Sequence, residues 1–366
     1  MIKPVITVTI AGVAILHAVL FWFVPRLTRH DLFFAVTVAP GFRDDPEGES
    51  ILRHYRTELV LFCALALAAF VAGVSWLGVG IVPGGFLTQL VASFIVFYRA
   101  RQRVLPHALP PTTIREADLD GGNRIVPGGG VVASGPFILL VACAAYVWIH
   151  GEEIPARFTM QWGAGGSEPH GWAGHTLASV YFLSTAGILA ALTLIRYGIR
   201  HWVRSVHAGG PEFASELKFR GTVSTILLAT EYFIALQSSW LVLVPRRHGL
   251  GASPPGALVV ALLPLALVLV LVAMVVLARL GQGGSRVLAT RQTISSTSAV
   301  PVGDRMPDSY WKLGIFYFNR DDSAVVVEKR FGLGYTLNFA RPVTWIIVLL
   351  VVIGALVPVL IPHLHR

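Results

Sequence analysis

Charge is scarce in this sequence. Only 13% of its 366 residues are Asp, Glu, Lys or Arg, against 54% apolar, whereas a soluble domain normally carries about 25% charged residues. That shortfall excludes an ordinary water-soluble globule and points to a bilayer as solvent. Cysteine is nearly absent as well. Cys63 and Cys143 both lie in apolar runs, which gives no support to a disulfide framework or a cysteine metal site and suits small buried roles. Neither an HExxH motif nor a recognisable nucleophile–base pairing is present, so no cofactor is implied and an intramembrane metal-dependent enzyme is the weakest of the readings. A cleaved leader is not expected. The first apolar run, Val5 to Val24, is longer than a signal-peptide core and ends in Pro25-Arg26 rather than a small-x-small site.

Long hydrophobic runs, by contrast, are plentiful, and mean hydropathy is +0.67. A spanning helix needs about 20 mostly apolar residues. Eight segments qualify or nearly do: 5–25, 58–80, 84–98, 131–149, 175–195, 222–244, 257–278 and 343–362. The third is short and begins at Pro83-Gly84-Gly85, so it reads as either a tilted span or a re-entrant hairpin. Charge decides between them. With eight spans, the loops 26–57, 99–130, 196–221 and 279–342 share one side and hold five, five, five and nine of the 29 Lys and Arg residues; the other side holds five. This is the positive-inside asymmetry, and it collapses if the third segment does not cross. Trp22, Trp76, Trp148, Trp240 and Trp345 fall near span ends, as interfacial belts require. Topology thus accounts for the pI of 9.9, and nucleic acid is not an expected partner. The expected fold is an all-α integral membrane bundle of about eight helices with both termini outside. Residues 1–278 carry the first seven spans, 279–310 a Gly/Ser/Thr-rich cytoplasmic linker, 311–342 a small β-rich module, and 343–366 the last span with a short external tail.

The cytoplasmic segments carry strand signals. Leu32–Val38 is short, apolar and partly β-branched. Asp44-x-x-Glu47 has capping-box spacing, with Pro46 in the first turn of the helix that follows. Further on, Ile315–Phe318 and Val325–Phe331 flank the turn-forming run Asn319-Arg320-Asp321-Asp322-Ser323, which reads as a hairpin, with Tyr335–Phe339 as a third strand. An isolated hairpin is marginal, so these strands and Leu32–Val38 are expected to form one sheet against the helix ends. Gly332-x-Gly334 does not open a helix, as a phosphate loop would. Lys329-Arg330 reads as a solvated or headgroup-facing basic pair.

The largest external loop, 150–176, concentrates His150, Glu168, His170 and His175, weak metal candidates without tight spacing. In it, Ile154-Pro155, Arg157, Gly163 and Gly166 resemble a short LP-x-R…H-x-G-x-x-G segment of a bacterial integral-membrane family related to the Sdp-type immunity proteins. Gln161 stands where that segment carries His. A second resemblance is tighter. Trp311, Lys312, Gly314, Phe316, Tyr317, Asn319, Asp321, Asp322, Lys329, Arg330, Gly332, Gly334, Thr336 and Asn338 match the W-K-x-G-x-F-Y-x-N-x-D-D…K-R-x-G-x-G-x-T-x-N pattern of an uncharacterised module often joined to that family. Ser323 replaces the proline of its usual turn. These resemblances imply a multi-pass protein of the bacterial cytoplasmic membrane. They also suggest an immunity or signalling role, with an extracytoplasmic peptide or small molecule outside and a protein partner inside.

One carboxylate lies well inside a span. Glu231 interrupts the sixth, where a charge is costly and marks a pathway or a bundle-facing bond. His17, by depth, and Gln237, along the same helix, are its expected polar neighbours. Ion-coupled transport through Glu231 is therefore the alternative function.

Overall fold

A computed structural model describes residues 2–29, 31–39, 41–77, 82–110, 129–150, 174–203, 210–248, 255–286 and 307–364. Among these residues, eight long helices follow the apolar runs in order: α1 (Ile2–Leu27), α2 (Pro46–Leu77), α3 (Val82–Val104), α4 (Gly129–Ile149), α5 (Gly174–His201), α6 (Gly210–His248), α7 (Pro255–Leu280) and α8 (Pro342–Leu364). Among the described residues, three stretches are long and apolar enough to cross a membrane: Gly129–Ile149, Ser179–His201 and Leu265–Gly284, the last running past the end of α7. Shorter apolar stretches lie at Ala11–Leu27 and Pro342–Val357. The third run sits in a 23-residue helix, about 34 Å long at 1.5 Å per residue, so the helix outreaches its apolar core and ends among Arg99, Arg101 and Arg103. Outward-facing apolar side chains are abundant; Leu183 is 74% and Val141 67% exposed, a surface suited to hydrocarbon rather than water.

Proline sets three helix starts. Pro46 is the first residue of α2, Pro255 of α7 and Pro342 of α8, where the missing N–H costs nothing and the fixed φ is already helical. The α2 start falls one residue later than the capping-box spacing suggests. Asp44 belongs to a 3-10 turn (Phe42–Asp44), while the extended Asp45 accepts the Glu49 N–H at 2.9 Å.

The strands lie in three separate two-stranded antiparallel sheets, not in one. β1 (Leu32–Phe33) pairs with β2 (Val36–Thr37), β3 (Trp311–Lys312) with β4 (Phe316–Tyr317), and β5 (Val326–Glu328) with β6 (Tyr335–Leu337). A parallel bridge between Tyr317 and Asn338 joins the last two sheets. Leu32–Val38 is therefore a complete hairpin, and the expected pairing of 315–318 with 325–331 does not form. Tight turns explain both differences. Phe34 (φ 46) and Ala35 (φ 62) close the first hairpin, and Leu313 (φ 54) with Gly314 (φ 81) closes the second, each with the consecutive positive φ values of a type I′ turn. Bulky residues rarely adopt that region, so neither turn announces itself in the sequence.

The two segments are nevertheless neighbours. Phe33, Phe34, Val36, Phe42, Tyr55, Leu59 and Phe97 form one buried cluster, against which Phe331 of the 311–341 module packs. A second cluster joins Ile199 of α5, Phe219 of α6 and Leu280 of α7 to Val325 and Val326. The described parts of all four basic loops thus meet at one end of the bundle. Arg29 contacts Glu328 at 3.4 Å, the Leu109 N–H donates to Thr37 O at 2.9 Å, and a 3-10 turn (Gln282–Gly284) rests on the start of α6.

Gly284 shows how close that approach is. Its φ is +82, and a Cβ there would lie 2.5 Å from the Ser215 carbonyl oxygen of α6. Gly284→Ala meets both a strained backbone and a main-chain clash. It is expected to lower stability by about 1–3 kcal/mol, read as a lower midpoint of thermal unfolding of the purified protein in detergent.

Candidate functional site

Four residues of the module's motif, Tyr317, Asn319, Asp322 and Asn338, fold into a buried polar knot at the foot of α8. Asn338 is its centre and is fully buried. Its Oδ1 accepts the N–H groups of Asn319 (3.1 Å) and Ala340 (3.2 Å). Its Nδ2 donates to the carbonyls of Asn319 (2.9 Å), Ala324 (3.1 Å) and Asp322 (3.2 Å). Asp322, also fully buried, accepts from the Tyr317 hydroxyl at 2.8 Å and from the Ala324 N–H at 3.0 Å. Asn319 donates through Nδ2 to the Tyr317 oxygen (3.1 Å) and accepts the Asp321 N–H (2.9 Å). Asp321 itself points outward and is exposed. Buried polar groups must be bonded, and here a network of side chains provides the bonds that a larger sheet would otherwise supply.

The knot is tied to the bundle. Thr344 Oγ1, in the first turn of α8, donates to Asn338 O at 2.7 Å, and within the module Arg341 Nε, just before α8, donates to Asp322 O at 2.8 Å. Gln282, fully buried, clamps the Gly332–Gly334 turn. Its Nε2 donates to Gly334 O (2.9 Å) and its Oε1 accepts the Gly334 N–H (2.7 Å), as a strand neighbour would. Phe331 stands 4.0 Å, centroid to centroid, from Phe97 of α3 and 6.2 Å from Phe21 of α1. Sequence reading had placed Gln282 in the linker and given it no role; no local signal marks a glutamine as a surrogate strand.

Arginines fix the rest of this end. Arg330 pairs with Asp308 and lies 5.3 Å from the Trp311 ring. Arg101 Nη1 donates to Ala35 O at 2.6 Å, holding the strained hairpin turn, and its stem fills the space that a Cβ on Gly314 would take. Arg43 Nη2 donates to Thr28 Oγ1 (2.7 Å) and to the carbonyls of Arg29 and Leu32; burial pushes its pKa down to about 10. Burial alone would raise the Asp31 carboxyl, but the charge and hydrogen bonds of Arg29 outweigh it and hold the group below its ordinary value. Lys329 lines a cavity beside Phe331, where the dense protein around its side chain pushes its pKa down.

Glu231 has a partner that sequence reading missed. It is fully buried, and Arg196 Nη2 of α5 lies 3.2 Å from its Oε2 while also donating to Ala133 O of α4 at 3.1 Å. The expected neighbours are elsewhere. His17 Nε2 meets Ser93 Oγ between α1 and α3 at 3.1 Å. Gln237 is half-buried and stands about 240° around α6 from Glu231, at 100° per residue. The apolar run stops at Ile195, which places Arg196 in the loop by sequence, yet α5 continues to His201. An arginine placed just past an apolar run can send its long stem back along it, and that was the signal available.

The external-loop residues Pro155, Arg157, Gln161, Gly163, Gly166, Glu168 and His170 lie outside the described residues. So does the side chain of His175, although its backbone falls in the first turn of α5. His150, at the end of α4, sits 2.9 Å from Tyr146 O through Nδ1. Among the described residues, no three His, Cys, Asp or Glu side chains are grouped to hold a metal ion.

The geometry makes sense of a family match. Residues 320–345 match a family described as Family of unknown function (DUF5808). That stretch runs from Arg320 through the knot to Trp345, so it joins the second half of the module to the first turn of α8 as one unit. No curated protein and no solved structure matches the chain.

Proposed function

We propose that this is a multi-pass protein of the bacterial cytoplasmic membrane with eight spanning helices, both termini outside and the 311–341 module in the cytoplasm. In this reading it is a membrane-embedded receptor of the immunity or signalling type. Its external loop recognises a peptide or small molecule, and its module passes the event to a cytoplasmic partner. The meeting of the four basic loops at one end supports the topology, because each helix pair between them must go out and come back. The observation that carries the receptor reading is the attachment of the module. Asn338 bonds it to α8 through Thr344, Gln282 bonds it to the turn that ends α7, and Phe331 plugs it between α1 and α3. A rigid connection of this kind transmits a shift of the helices, as a two-state coupling element requires.

Ion-coupled transport is the second reading, favoured by the buried Glu231–Arg196 pair, since ionisable residues at that depth line many transport paths. One strain separates the two. Cells lacking the gene are expected to become sensitive to envelope-acting peptides and to be protected again by the wild-type protein. A doubly apolar variant, Arg196→Met with Glu231→Leu, is expected to protect equally well. Loss of protection with that variant expressed and membrane-inserted moves the assignment to transport, and a deletion without any sensitivity removes the immunity role.

A further inference from the structure

A cavity within the 311–341 module carries chemistry that the receptor reading leaves unused. Its volume is ≈ 200 Å³, and its walls are Ile315, Phe316, Phe331 and Phe339, with Lys329 and Thr336 as polar lining beside Arg330. Arg330 is already neutralised by Asp308. Lys329 has no such counter-charge among the described residues, and it is still reachable from solvent.

Depth is the second observation. Phe339 makes edge contacts with Phe316 (5.4 Å) and with Trp345 (5.9 Å), and the Trp345 Nε1 donates to Phe339 O at 3.1 Å. Trp345 lies in the first turn of α8 and is 57% exposed, the placement that tryptophan takes at headgroup level. The β3–β4 hairpin shows Leu313 (48% exposed) and Phe316 (43%) on its surface beside the cavity, side chains that belong in an interface rather than in water. A cation set among aromatic walls at that depth matches a ligand with an anionic head and an apolar body. Bare phosphate would gain nothing from the phenylalanines, and a peptide helix, about 10 Å across, exceeds the space.

We propose that this cavity holds one anionic phospholipid of the inner leaflet, its phosphate on Lys329 and Thr336 and its upper acyl carbons against Phe316 and Phe339. The site rests on the reading that this end of the bundle faces the cytoplasmic leaflet. It makes the module's seat on the membrane dependent on lipid charge, beyond the general attraction of basic loops for an acidic surface.

Native mass spectrometry of the full-length protein tests it, with phosphatidylglycerol or phosphatidylcholine of the same chains titrated into the detergent-purified sample. One phosphatidylglycerol is expected to bind in preference to phosphatidylcholine. Lys329→Gln is expected to weaken it about fivefold, the scale of one basic residue near an acidic surface, while Lys329→Arg retains it. Lys312→Gln, which removes an exposed cation of the same module, is the control and is expected to leave binding unchanged. Lys329→Gln without lipid should unfold at the wild-type temperature, since its side chain reaches solvent. Equal binding of the two lipids, an equal loss in Lys312→Gln, or displacement of the lipid by inorganic phosphate or a soluble acidic peptide overturns the site while leaving the membrane topology standing. A protein that stays soluble without detergent overturns both.

Discussion

Arg196→Met, with Glu231 left in place, is expected to cost about 3–5 kcal/mol of stability, the penalty for removing one partner of a buried ion pair. The carboxylate is fully enclosed, and Arg196 is the cation beside it. Removing the guanidinium strips that charge of compensation and also removes the side-chain bond from α5 to Ala133 O of α4, so the two helices loosen in the same step. Glu231→Leu should cost a comparable amount, because it strands the guanidinium instead. The double variant is expected to recover most of the loss, since well-packed apolar side chains often replace a buried pair without penalty. Arg196 Nη1 and the Glu231 carboxylate oxygens are buried without a well-formed hydrogen bond among the described residues, so the polar site gives the fold little that an apolar one would not. Unfolding of the two single variants and the double in mixed micelles measures the coupling directly. Two near-neutral single variants would show that the pair is not formed in the folded bundle.

That pair also marks where reading the sequence stopped short. The helices were legible because every apolar run but the short third one approaches the length of a span, and a helix lies over each of the eight runs. Arg196 was not, because a boundary drawn at the last apolar residue discards an arginine whose stem is as apolar as its neighbours. In the module, local chemistry was legible and pairing was not. Asn319 and Asp322 do what turn residues of their type do, each accepting a backbone N–H two residues on. Strand partners, however, were set by turns at Phe34-Ala35 and Leu313-Gly314, three of whose four residues are types that rarely take positive φ. Long-range polar contacts were the least legible. Neither the Gln282 clamp nor the Arg101 hold on the first hairpin follows from spacing, since both join segments far apart in the chain.

Asn338 is expected to be the most sensitive position in the module, Asn338→Ala lowering stability by about 3 kcal/mol or more. That substitution removes the shared donor to three buried carbonyls and the acceptor for two N–H groups, and each buried polar group left unpaired costs about 1–3 kcal/mol. Asn338→Asp should be at least as severe, because it keeps the acceptor but turns a carboxylate oxygen toward the carbonyls of Asn319, Asp322 and Ala324. Thr344→Val removes one bond, to Asn338 O, and should cost only about 0.5–1.5 kcal/mol. The order of the three separates a structural knot from a reactive site, because a catalytic or ligand-binding asparagine could be lost with the fold intact. Hydrogen exchange locates the damage. In Asn338→Ala, protection is expected to fall first across 311–341 and the first turn of α8, while α4 and the middle of α5 stay protected. Module amides as protected as in the wild type would mean that the knot does not hold the module. The match over 320–345 would then reflect a binding or reactive role for these residues and not the structural one assigned here.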